Sequence, residues 1–272
     1  MNTELQLKHI AAQIRIETLK IIYRGKASHI GGAFSMVDIL TVLYNDVLNI
    51  DPTNPKWEVR DRFLLSKGHA CSSLYVTLAL KGFFPLSDLE SYGKNGSIYL
   101  SHASHLVPGV EFSTGSLGHA LPVGCGLALA AKKKNKGWRT FVLVSDGELD
   151  EGSNWEAILF APQHKLDNLI LIVDYNKIQS LGDVKDVIDL HPILDKFKAF
   201  NWEVVEIEGH DYNQICHAFK NLPITKYKPH VIIAHTIKGK GVDFMENKLI
   251  WHYKSPSEEE YKIAIKQLEN SL

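Results

Sequence analysis

Thr140-Phe141-Val142-Leu143-Val144-Ser145-Asp146-Gly147-Glu148-Leu149-Asp150-Glu151-Gly152 is the stretch that decides the fold. An apolar run drops into a polar Asp-Gly turn, the pattern of a buried strand that ends abruptly. Gly152-Ser153-Asn154 follows, and Trp155 to His164 carries helix-like apolar spacing. A second apolar run, Leu169-Ile170-Leu171-Ile172-Val173, ends in Asp174-Tyr175-Asn176. Two buried strands thus finish in oxygen-bearing side chains, Asp146 and Asn176, with one helix between them. A right-handed crossover makes such strands parallel and puts both ends on one edge of the sheet. That carboxyl edge is where open α/β sheets bind ligands. A carboxylate and an amide there suit a hard divalent cation, Mg²⁺ above all, that keeps positions open for phosphate oxygens. The plainer alternative is an ordinary Asp-Gly turn and a capping Asn176.

Toward the N-terminus, residues 5–23 carry apolar side chains at helical spacing, and Ser28-His29-Ile30-Gly31-Gly32 breaks the pattern. Residues 36–47 predict an amphipathic helix with Ser35 as its cap. Residues 61–66 predict a short strand, Lys67-Gly68-His69 a turn, and residues 70–80 a helix. Ser87 and Glu90 have capping-box spacing. Residues 92–112 lack periodicity, which predicts a long functional loop. Thr114-Gly115-Ser116-Leu117-Gly118 precedes an Ala- and Leu-rich helix ending near Lys134, whose small residues imply close packing inside the domain or against another subunit. Toward the C-terminus, the pattern predicts a helix over 192–200, a strand over 203–207 and a helix capped by Asp211 through Phe219. A strand over 231–234, a turn at Lys238-Gly239-Lys240-Gly241 and a last helix capped by Ser257 and Glu260 follow. The alternation predicts an α/β fold, a mostly parallel sheet with helices on both faces, in one domain over residues 1–272.

The net charge of −1 offers nothing to nucleic acid or to an acidic surface. No apolar run is long enough to span a bilayer, and the polar N-terminus is unlike a signal peptide. Cys71, Cys125 and Cys216 are odd in number and far apart, which implies a reducing, cytoplasmic setting and no zinc site. All three are expected to be small buried residues. Gly124-Cys125-Gly126 sits inside the Ala-rich helix rather than after a strand, which argues against a nicotinamide-binding domain. Among thirteen histidines, His29, His69, His102 and His252 fall at predicted loops, where functional residues concentrate. Loop position alone explains each equally well as an ordinary loop histidine.

The central block resembles the thiamine-diphosphate motif of transketolases: Asp146 to Gly152, then Asn176, with Trp155-Glu156-Ala157 and Asp174-Tyr175-Asn176-Lys177-Ile178-Gln179 in register. Ala27-Ser28-His29-Ile30-Gly31-Gly32, Asp61-Arg62-Phe63-Leu64-Leu65-Ser66-Lys67-Gly68-His69-Ala70, Ser113 to Gly118 and Lys238 to Gly241 are similar to further family segments, in family order. Together they cover nearly the whole chain. The resemblance implies the fold of the diphosphate-binding domain. It implies that Asp146, Asn176 and the Ile178 carbonyl bind Mg²⁺ or another divalent cation. The Gly147 amide would meet the diphosphate, backbone groups of Gly115 and Leu117 the aminopyrimidine, and Glu151 would sit near its amino end. By the same similarity His69 and His252 lie near the diphosphate, and His29 and His102 line the sugar channel. Ser145 replaces the usual first glycine of Gly-Asp-Gly. Ser101-His102-Ala103 replaces Gly-His-Pro, which leaves His105 as a competitor for the role of His102. Tyr253 follows His252 in a segment that matches only loosely.

In transketolases the carboxylate that pairs with the aminopyrimidine, and the groups that grip sugar phosphates, belong to a following pyrimidine-binding domain. This sequence ends at Leu272 without one. The resemblance therefore implies the N-terminal subunit of a split transketolase, completed by a C-terminal partner subunit, with two copies of each in a heterotetramer. The implied reaction transfers a two-carbon ketol unit from a ketose phosphate to an aldose phosphate, as in the pentose phosphate pathway. The alternatives are a deoxyxylulose-phosphate synthase-like enzyme subunit or a noncatalytic assembly subunit that retains the fold.

Overall fold

The computed structural model describes residues 2–220 and 222–272. Helices α1 (Glu4–Gly25), α2 (Ile30–Ser35) and α3 (Val37–Val42) come first, and α3 runs on into a π turn at Leu43–Val47. Strand β1 (Arg62–Leu65) and helix α4 (Cys71–Lys81) follow, then α5 (Ala120–Lys133), β2 (Thr140–Ser145), α6 (Gly152–Gln163) and β3 (Leu169–Tyr175). The chain continues through α7 (Val184–Val187), α8 (Ile193–Ala199), β4 (Glu203–Glu208), α9 (Tyr212–Lys220), β5 (His230–His235) and α10 (Glu258–Glu269). The strands form one sheet in the order β1-β2-β3-β5-β4, and every pairing is parallel.

The expected side-chain alternation sorts the core into two layers. Phe63, Phe141, Leu143, Ile170, Ile172 and Ile232 point to the face covered by α1, α3, α4 and α9. Leu64, Val142, Val144, Leu171, Val173 and Ile233 point to the face covered by α5, α6 and α8. With β2 and β3 buried on both faces, their sequences read as unbroken apolar runs. A third cluster packs the far side of α1 against α10 and Trp251. At α10, Ser257 and Glu260 form the expected capping box.

Several boundaries differ from expectation. Helix α1 ends at Gly25, and α2 already starts at Ile30, with His29 as its N-cap at φ +71°. Ser35 lies inside that helix rather than capping the next one; its hydroxyl donates to the Gly32 carbonyl and to Asp174. Ser87 and Glu90 fall in a 3₁₀ turn that follows Pro85 and has no side-chain cap. Strand β3 runs past Val173 to Tyr175, which brings Asp174 into the sheet. Cys71 and Cys125 are buried as expected, whereas Cys216 on α9 is partly exposed. Its neighbours Ile215 and Phe219 face the core instead.

Candidate active site at the carboxyl edge of the sheet

Asp146 directly follows β2 and Asn176 directly follows β3, and the two strands pair in parallel with Ser145 opposite Asp174. The ends therefore meet on one edge, and both side chains border a cavity of about 250 Å³. Asp146 is 1% exposed. Its carboxylate accepts the Gly147 N–H at 2.8 Å and the Lys177 N–H at 2.5 Å. Lys177 takes φ +70° to deliver that N–H, a conformation few non-glycine residues adopt and one that concentrates at functional sites. Burial, with the Asp174 charge beside it, pushes the Asp146 carboxyl up to about 6. The Asn176 carbonyl oxygen accepts the Ile178 N–H at 3.1 Å.

Two buried lysines flank these oxygens. Lys238 donates to the Ile178 carbonyl at 3.0 Å and lies 3.2 Å from His252 Nδ1. Burial and the charge of Lys67 bring the Lys238 ammonium down to about 8. Lys67 donates to the Gly32 carbonyl at 2.7 Å and pairs with Asp174. Burial alone would raise the Asp174 carboxyl, but the Lys67 charge and the hydrogen bonds from Lys67, Ser35 and Thr236 together hold the group below its ordinary range.

Four imidazoles close the other wall. His29 stands 5.0 Å from His69, 6.1 Å from His102 and 5.1 Å from His252, ring centre to ring centre. Burial lowers His29 to about 4, and the charges of His102 and Lys238 add to it. Burial and then Lys238 lower His252 to about 3, and burial with Lys67 holds His69 well below the usual range. His29, His69 and His252 thus meet neutral pH with lone pairs available beside two lysines, a combination suited to hydrogen-bonding hydroxyls and moving their protons.

Most of the residues singled out from sequence come together here: His29, His69, His102, Gly115, Leu117, Asp146, Gly147, Asn176, Ile178 and His252 all border the cavity. Both His102 and His105 are exposed; His102 borders the cavity, while His105 binds the Ser113 hydroxyl through Nδ1 at 2.8 Å. Glu151 is outside the cavity, exposed as the N-cap of α6 and packed near Gly118. The Gly147 amide is engaged by Asp146 rather than free. Four contributors received no role from sequence: Lys67, Lys238, Asp174 and Glu148. Each lysine lies beside a glycine in a family-like segment, and a lysine in such a tight turn was the available signal. Buried Glu148 accepts from Ser66 and from the Gly118 N–H at 2.8 Å, and so ties the strand ends to the segment holding Gly115 and Leu117.

Residues 6–269 match the family model described as transketolase, thiamine diphosphate binding domain. The chain belongs to the transketolase family. It is 42% identical to an apulose-4-phosphate transketolase subunit of Phocaeicola vulgatus, over 95% of this chain and 92% of that one. It is 40% identical to a 6-deoxy-6-sulfo-D-fructose transketolase subunit of a Clostridium species, over 98% and 97% of the two chains. Against the crystal structure of Campylobacter jejuni transketolase the TM-score is 0.92 at 34% identity, covering 99% of this chain and 43% of that one. The chain thus spans less than half of that longer transketolase and nearly all of the two bacterial subunits.

The cavity fits the diphosphate end of thiamine diphosphate. Buried lysines supply positive charge, and Gly147 borders the cavity where packing against Gln179 leaves no room for a Cβ. Asp146, Asn176 and the Ile178 carbonyl offer hard oxygens to a cation. Among the described residues no group of three or more His, Cys, Asp or Glu is arranged to hold a metal. One carboxylate is compatible with a cation that takes its other ligands from phosphate oxygens and water.

Proposed function

We propose that this chain, as a single domain over residues 1–272, is the diphosphate-binding subunit of a thiamine-diphosphate-dependent transketolase. It would transfer a two-carbon ketol unit from a ketose phosphate to an aldose phosphate. The observation that carries this is the convergence of Asp146, Asn176 and four histidines on one cavity at the carboxyl edge of a parallel sheet. Asp146, Asn176 and the Ile178 carbonyl would hold Mg²⁺ or a similar divalent cation, and His69, His252 and Gly147, once its amide is released from Asp146, would face the diphosphate. Gly115 and Leu117 would approach the aminopyrimidine, with Glu151 near its amino end. Thiamine diphosphate, when bound, supplies the carbanion-stabilising centre. His29 and His102 would hold and move protons on the sugar hydroxyls.

A second polypeptide would complete the site. At about 250 Å³ the cavity falls short of the roughly 300–1,000 Å³ of enclosed ligand pockets, so this chain covers only part of a cofactor-sized molecule. Two relatives matched over nearly their whole length are named as subunits. A heterotetramer with two copies of each chain is the expected assembly. The free cysteines favour the cytoplasm, and among the described residues no helix is long and apolar enough to cross a membrane.

The relatives are named for apulose 4-phosphate and 6-deoxy-6-sulfo-D-fructose, so a place in the pentose phosphate pathway is the part that a substrate panel decides. The test is ketol transfer by the purified chain with and without a pyrimidine-domain partner. Transfer is expected with both chains and Mg²⁺ present; full activity of this chain alone would overturn the two-chain assignment.

A further inference from the structure

Asp174 lies beneath the cavity, wholly buried. One carboxylate oxygen accepts from Ser35 at 2.5 Å, from the Lys67 ammonium, and at 3.4 Å from the side-chain NH₂ of Asn176. The other accepts from the Thr236 hydroxyl. Four segments that shape the crevice, namely α2, the turn after β1, the end of β3 and the residue after β5, therefore converge on one anion.

This arrangement bears on the orientation of Asn176. The oxygen and nitrogen of an amide have nearly the same shape, so the hydrogen-bond partners decide which way it turns. A carboxylate paired with a lysine accepts and does not donate, so the edge of Asn176 facing it must be NH₂. The carbonyl oxygen is then turned the other way, toward the Ile178 N–H and the cavity. A neutral amide at position 174 could turn either edge to Asn176 and would leave the Ile178 N–H to select the oxygen.

We propose that Asp174 is a positioning residue that fixes the flip of the Asn176 amide, so that oxygen rather than NH₂ is presented to a divalent cation shared with Asp146. This rests on Asp146 and Asn176 being the cation's ligands, as proposed above.

The test uses Mn²⁺ as the probe, with affinity read by electron paramagnetic resonance on the full chain in the presence of thiamine diphosphate. Folding is checked by circular dichroism. Asp174→Asn should weaken Mn²⁺ binding about tenfold or more, the usual effect of losing a group that orients a ligand. The exchanged pair Asp174→Asn with Asn176→Asp should recover affinity to within about threefold of wild type. The introduced carboxylate has an oxygen on either edge, so its flip no longer matters, and net charge is unchanged. If Asp174→Asn alone fails to fold around an unpaired Lys67, Asp174→Asn with Lys67→Met removes both charges and should show the same loss. Wild-type Mn²⁺ affinity in the folded Asp174→Asn variant, or an exchanged pair as weak as the single variant, overturns the positioning role. A wild-type protein that binds no Mn²⁺ overturns the metal assignment along with it.

Discussion

The main-chain N–H of His29 donates to the carbonyl of His252 at 3.0 Å, and the two rings meet edge to face with their centres 5.1 Å apart. One bond thus joins the corner before α2 to the turn that follows Lys248, and sets two far-separated histidines side by side. Both are held neutral chiefly by burial, at about 4 for His29 and about 3 for His252, against an ordinary 6.5. Below 6.5 the unfolded chain therefore takes up protons that the folded chain refuses. Stability from this source is complete above that value and is lost as pH falls through the window toward 4. The urea midpoint of the cofactor-free protein should drop across this window, and His252→Gln should make the drop shallower. An identical slope in the variant would contradict the burial of that imidazole.

Asp146→Ala should remove Mg²⁺-dependent cofactor binding and leave the fold intact. With its carboxyl already pushed up to about 6 by burial, Asp146 contributes little to the stability of the cofactor-free chain. Isothermal titration with thiamine diphosphate and Mg²⁺ should show affinity down by more than about 100-fold, beyond the loss seen for groups that merely orient a ligand. The thermal midpoint should be unchanged or slightly higher.

Gly68→Ala should be strongly destabilising. A Cβ there would sit less than 3.0 Å from the Thr114 main chain, whose hydroxyl is anchored at 2.6 Å on the Leu65 carbonyl. Overpacking of an immobile backbone costs about 1–3 kcal/mol or more. Urea unfolding should show a loss of that size, together with weaker cofactor binding, because the same segment carries Gly115 and Leu117.

A buried polar network beneath α1 should matter as much to stability as any apolar core residue. Asp38 accepts from Arg15 at 2.7 and 3.1 Å, from His210 at 2.6 Å and from the Tyr212 hydroxyl. The far nitrogen of His210 accepts the Ile237 N–H at 2.8 Å, one residue before Lys238 of the cavity. Arg15→Met leaves Asp38 buried without its main counter-charge, which costs about 3–5 kcal/mol. A loss under about 1 kcal/mol in urea unfolding would contradict this.

The sheet was legible because strands covered on both faces read as unbroken apolar runs, as Leu169 to Val173 does. The same runs located the cavity, since a parallel sheet leaves no choice about which edge carries Asp146 and Asn176. Helix starts were less legible. Ser35 has the composition of a cap, but a tertiary partner, Asp174, claims its hydroxyl. The roles of Lys67 and Lys238 could not be read because lysine is ordinarily a solvated surface residue. Their burial depends on Asp174 and on the Ile178 carbonyl, which become neighbours only when the strands align. His102 and His105 were indistinguishable by spacing; the turn that pairs His105 with Ser113 separates them.

The most direct test is a thiamine diphosphate titration of this chain together with its pyrimidine-domain partner, with Mg²⁺ and again with excess EDTA, for wild type and Asp146→Ala. Saturable binding that needs both the cation and the Asp146 carboxylate is the predicted result. Equal binding with EDTA, or equal binding in the Asp146→Ala variant, would contradict a cation held between the ends of β2 and β3.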